Sequence, residues 1–173
     1  MNADHGAVAP DGATLPHDQV RALLHDAVAG RHDGQRVLVL IPDHTRSLPL
    51  PILFDALADA LRGARAVTFM VALGTHPPLS EERLHALVGT DAATLAARFP
   101  HVRIVNHEWG DPDALVSLGT LPQARVQAIA GDRWHPTLGG DVDVRVNRAV
   151  VEHDNVLILG PTFPHEVVGY SGG

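Results

Sequence analysis

Cysteine and lysine are both missing from this chain, whose 13 basic residues are all arginine. Without cysteine there is no disulfide, no thiolate metal site and no sulfur nucleophile, and histidine is left as the soft ligand. Without lysine there is no Schiff base and no lysine-borne bond to a cofactor. A basic block is lacking too. With a formal charge of -7 the chain offers no face for a phosphate backbone, which excludes a general nucleic-acid binder. No apolar run approaches the roughly 18 residues that span a bilayer, and residues 1–16 lack the charged start and apolar stretch of a secretory signal. These absences point to a cytoplasmic protein without a membrane partner.

What is present suits a globular domain. The hydrophobic fraction of 45% and charged fraction of 19% are enough for a proper core, and 12 histidines are many for 173 residues. Residues 1–15 are small and polar without periodicity and read as a flexible leader. From His17 to Ala29 the apolar residues Val20, Leu23, Leu24, Ala27 and Val28 recur at helical spacing, and Gly30 ends the run. Arg36 to Ile41 and Ala66 to Leu73 are continuous apolar runs of strand length, expected to be buried. Between them, Pro49 to Leu61 reads as a helix with its prolines in the tolerated first turn. Ser80 and Asp91 are placed to cap two further helices, reaching Val88 and about Phe99. Val102 to Asn106 is a third strand.

Strand and helix alternate up to this point, which predicts an α/β fold of the doubly wound, Rossmann-like class: a mainly parallel sheet with helices on both faces. Residues 107–140 break the pattern with many glycines and weak apolar runs at Ala114 to Leu118 and Val126 to Ile129, and suggest a hairpin-like excursion. Val142 to Val146 alternates as a half-exposed strand would, Asn147 to His153 suggests a short helix, and Asn155 to Leu159 a last buried strand.

Ligands of an open parallel sheet bind beyond the carboxyl ends of its strands. Three strands here end in chemistry: Asp43-His44-Thr45-Arg46, Gly74-Thr75-His76 and Thr162-Phe163-Pro164-His165. Asp43 and Arg46 form either a salt-bridged turn or a site in which the guanidinium grips a carboxylate by two parallel hydrogen bonds. His76 and His165 are either turn histidines or a pair of near-neutral imidazoles on opposite sides of a ligand, able to remove a proton at one face and return it at the other. Ser171-Gly172-Gly173 is a flexible end or, before a helix, a phosphate-cradling loop. For Asn106-His107-Glu108-Trp109 a structural role is the simpler reading. No histidine pair has metal-ligand spacing on a helix, so no metal site is expected.

Taken together, Asp43-His44-Thr45-Arg46, Ala72-Leu73-Gly74-Thr75-His76, Asn106-His107, Arg145-Val146-Asn147-Arg148 and the run from Gly160 to Gly173 resemble the nickel-dependent lactate racemase family in its N-terminal domain. The resemblance implies a nickel pincer nucleotide as cofactor, bound to a lysine, and hydride transfer from C2 of a 2-hydroxy acid. It implies His76 and His165 as the acid/base pair, one for each enantiomer. Asp43 and Arg46 fall in its substrate site, and Thr45, Ser171, Gly172 and Gly173 near the cofactor. Tyr170 stands where the family commonly has phenylalanine. The family's cofactor lysine, nickel-ligating histidine and C-terminal domain have no counterpart here. Residues 16–173 are therefore expected to be the N-terminal catalytic domain of a longer racemase, unable to attach the cofactor covalently and inactive alone. The alternatives are a non-catalytic nucleotide- or carboxylate-binding remnant and, less in keeping with the ligand spacing, a histidine-rich metal-handling protein.

Overall fold

The computed structural model describes residues 6–74, 76–135, 137, 139–166 and 169–172. Helix α1 (His17–Val28) leads to strand β1 (Arg36–Ile41), α2 (Leu50–Ala60) to β2 (Ala66–Val71), and α3 (Glu81–Val88) with α4 (Ala92–Arg98) to β3 (Val102–Asn106). After an excursion, strand β6 (Asn155–Ile158) completes a four-stranded sheet in the order β3-β2-β1-β6. All three of its pairings are parallel, and helices flank it. The expected α/β class with a parallel sheet is thus observed. Among the described residues, no helix is long and apolar enough to cross a membrane.

β1 and β2 are the most buried strands, because two neighbours and a helical layer cover them. Val37, Val39, Ile41, Val67, Phe69 and Val71 point to one face and join Phe54, Leu57, Leu84 and Leu95 from the helices, and Phe99 just after α4, in a single core. The helix starts follow from capping side chains. Ser80 accepts the Arg83 N–H at 3.3 Å, and Asp91 accepts the Thr94 N–H at 2.8 Å. Gly89 closes α3 in the left-handed region at φ 71°, and a Cβ there would meet Pro51 at 2.7 Å. Helix α1 buries no residue fully, but its Arg21 pairs with Asp55 of α2 at 2.7 Å.

Strand β6 differs from the expected buried strand. It lies at the sheet edge, Leu157 packs against the core, and Val156 and Ile158 are exposed. An edge strand pairs on one side only, so its second face can stay uncovered. Beyond it, β7 (Thr162–His165) and β8 (Gly169–Gly172) form an antiparallel hairpin, so Ser171 and Gly172 continue a strand and Gly173 lies outside the described residues.

The chain divides into two compact units, residues up to His107 together with those from His153 onward, and Glu108–Glu152. The second unit is the excursion. It pairs β4 (Leu115–Leu121) with β5 (Val142–Asn147) antiparallel, as a hairpin would, but places helix α5 (Gln123–Ala130) between them. Short helix α6 (Arg148–Glu152) follows β5. The apolar run Val126 to Ile129 is therefore helical. None of the residues in these elements is fully buried, which is why their apolar periodicity is weak.

Candidate functional site

β1 is the point where the strand order reverses: β2 and β3 follow on one side and β6 on the other. In open α/β sheets such a reversal point is where ligands bind, beyond the carboxyl ends of the strands. The parallel register sets Ile41 opposite Val71, so the loops leaving β1 and β2 start side by side. The first carries Asp43 to Arg46. The second turns at Gly74, at φ 59°, with the His76 N–H returning to the Leu73 carbonyl at 2.9 Å.

Across this seam Asp43 meets His76, Oδ2 to Nδ1 at 2.5 Å. Asp43 is 5% exposed, whereas the His76 side chain is 53% exposed. The other Asp43 oxygen, Oδ1, accepts the Thr45 N–H at 3.0 Å and the Thr45 hydroxyl at 2.5 Å. Burial pushes the Asp43 carboxyl up, but the Thr45 hydroxyl, the His76 ring and the Thr45 N–H together outweigh it and hold the group below its ordinary value. Asp43 is accordingly a carboxylate that can only accept, so Nδ1 of His76 donates. In the neutral ring the lone pair is then on Nε2. That is the tautomer a general base requires, with a buried carboxylate to stabilise the imidazolium it becomes.

Of the sequence-level candidates, Asp43 and His76 are brought into contact, and Thr45 braces Asp43. The salt bridge expected as one alternative for Asp43 and Arg46 is not observed among the described residues, and the Asp43 carboxylate contacts His76. Only the Arg46 backbone N–H returns to Asp43, at 3.3 Å to the carbonyl. The Arg46 side chain is exposed and makes no hydrogen bond or ion pair among the described residues. His165 is half-buried on β7, with Nδ1 3.9 Å from the exposed Glu166 carboxylate. Asn106, at the end of β3, is structural: Nδ2 donates to the Leu79 carbonyl at 2.8 Å, and Oδ1 accepts the Leu79 N–H at 3.1 Å. The Asp43–His76 partnership spans 33 residues and had no local signal. Among the described residues, no group of three or more histidine or carboxylate side chains could hold a metal ion.

The chain is similar to known proteins over most of its length. The chain is 25% identical over 154 residues to a lactate racemase of Thermoanaerobacterium thermosaccharolyticum, an alignment covering 87% of this chain and 30% of that protein. A crystal structure of a Thermotoga maritima protein superposes with a TM-score of 0.76 at 27% identity, over 95% of this chain and 38% of the other. The chain thus spans under a third of the curated relative and about two fifths of the solved one. A family model for the lactate racemase N-terminal domain matches residues 21–130, well over half the chain, and the chain belongs to that family.

Proposed function

We propose that this chain is the acid/base part of a racemase or epimerase of 2-hydroxy acids, working within a longer protein that adds a nickel pincer nucleotide and a C-terminal domain. The observation that carries the reading is the contact of buried Asp43 with His76 at the reversal point of the sheet.

The chemistry asks for such a group. A C2–H bond beside a hydroxyl is a poor acid, but its hydrogen can leave as hydride, which the cofactor when bound would accept and give back, and a stable ketone forms once the hydroxyl proton is taken. His76, donating through Nδ1 to Asp43, takes that proton at Nε2 for one enantiomer and returns it for the other direction. Inversion needs a base at the opposite face, the part proposed for His165. Arg46 stands exposed in the loop that carries Asp43, suited to hold the substrate carboxylate by two parallel hydrogen bonds.

The residues in hand do not fit the nickel group as its holder. The sequence has no lysine for the covalent bond, and the described residues include no metal-binding cluster. Thr45 donates its hydroxyl to Asp43 and keeps its lone pairs to accept from another group. What this chain lacks is the covalent anchor and, among the described residues, the metal ligands, and Thr45, Ser171, Gly172 and Gly173 are the proposed neighbours of the cofactor.

The test uses the longer protein loaded with its cofactor and given D- and L-lactate. His76→Ala and His165→Ala are each expected to slow interconversion by about 10²- to 10⁴-fold, the range of a positioned acid or base. Wild-type rates in either variant would remove that histidine from the chemistry. The 173-residue chain alone is expected to leave lactate unchanged. A loaded protein that binds 2-hydroxy acids without turning them over would be the non-catalytic remnant.

A further inference from the structure

The loop that carries His76 runs from β2 to α3. It leaves β2 through Ala72, whose N–H reaches the Ile41 carbonyl at 2.8 Å, and no strand accompanies it until α3 begins at Glu81. His76 is followed by Pro77 and Pro78, which have no N–H to donate. The first backbone donor after His76 is therefore Leu79. Asn106 takes that donor on Oδ1 at 3.1 Å and gives Nδ2 back to the carbonyl of the same residue at 2.8 Å. A side-chain amide can do both at once, reproducing the paired hydrogen bonds of an antiparallel strand. Leu79 itself is 8% exposed and packs in the core. Between the turn at Leu73 and this clamp the loop is a strap fixed at both ends, with His76 and the two prolines in its span.

We propose that Asn106 is a positioning residue for His76. By clamping Leu79 it holds the strap in the one path that sets Nδ1 against Asp43, and so selects the tautomer with the lone pair on Nε2. The inference rests on the acid/base reading of His76 for its consequence, though not for its test. Asn106 touches no reacting group in this scheme. The prolines explain why the clamp sits where it does, since they remove the intervening donors and stiffen the path from His76 to Leu79.

The experiment is nitrogen-15 NMR of the imidazoles in the 173-residue chain, which reports the tautomer of His76 without any cofactor. Wild type should show the Nδ1-protonated form with a slowly exchanging Nδ1–H. In Asn106→Ala the clamped population should fall roughly tenfold, as the loss of two hydrogen bonds implies, and the Nδ1–H signal should be lost to exchange. Asn106→Asp, which keeps the acceptor for the Leu79 N–H but not the donor, should lie between the two. Asp91→Ala, which removes the cap of α4 at a distance from the strap in the chain, is the control for general loosening and should leave the His76 signals unchanged. Unaltered His76 tautomer and exchange in a folded Asn106→Ala would overturn the proposal, and so would an equal change in Asp91→Ala. If His76 responds as expected while His76→Ala still racemises in the loaded protein, the clamp stands and the acid/base reading falls.

Discussion

His76 and His165 follow the two strands that neighbour β1, yet the chain supports them differently. His76 sits against Asp43, a carboxylate 5% exposed and further braced by Thr45. His165 lies on a hairpin and meets Glu166 at 3.9 Å, a carboxylate 88% exposed. A solvated pair at that distance contributes little to orientation, whereas a buried acceptor fixed by several donors defines it. Within this chain, one member of the proposed acid/base pair is preorganised. For the other, the solvated Glu166 contact supplies no comparable constraint.

The difference can be broken most sharply at Asp43. Asp43→Asn should lower kcat of the loaded longer protein on the order of 10²-fold, because the ring loses the carboxylate that fixes its tautomer. A pH profile should move with it, as the protonated imidazole is no longer stabilised. Arg46→Lys should act next, raising KM for a 2-hydroxy acid about tenfold with kcat less affected, since an ammonium cannot form the two parallel bonds. An unchanged KM would take Arg46 out of substrate binding.

Stability offers a test that needs no activity. The Asp43 pKa is depressed in the folded chain, so its contribution is complete above the unfolded value of roughly 3.9 and is lost as the pH falls through the lower folded value. Urea midpoints measured from neutral pH downward should show this acid-side loss, and Asp43→Asn should flatten part of it. An identical pH slope in the variant would contradict the bracing of the carboxylate. The smallest effect is expected at Glu166→Gln, within about twofold in kcat. A change as large as that of Asp43→Asn would show that the two histidines are held alike after all.

Much of the fold was legible because it rests on short-range pattern. The apolar runs at Val37 and Val67 appear as β1 and β2, and Ser80 and Asp91 cap α3 and α4 where their position before apolar helical repeats implied. The excursion from Glu108 to Glu152 was less legible. Its strands and helix bury no residue fully, so neither a period of two nor one of 3.6 is strongly imposed on them. β6 was read as buried because Asn155 to Leu159 is apolar, but an edge position leaves Val156 and Ile158 uncovered. Of the site, the sequence marked which loops carry chemistry. It did not mark that Asp43 would turn to His76 instead of Arg46, or that Asn106 would hold Leu79.

By itself the sequence determined what chemistry is unavailable, since a chain without cysteine or lysine can form no thiolate or lysine-borne bond. It also determined where strands and helices begin, because capping and periodicity act over a few residues. Only the tertiary structure decided which groups meet. Strand order and the Ile41 to Val71 register set two loop starts side by side, and that adjacency, set by packing across the whole sheet, puts a carboxylate 33 positions away onto a histidine.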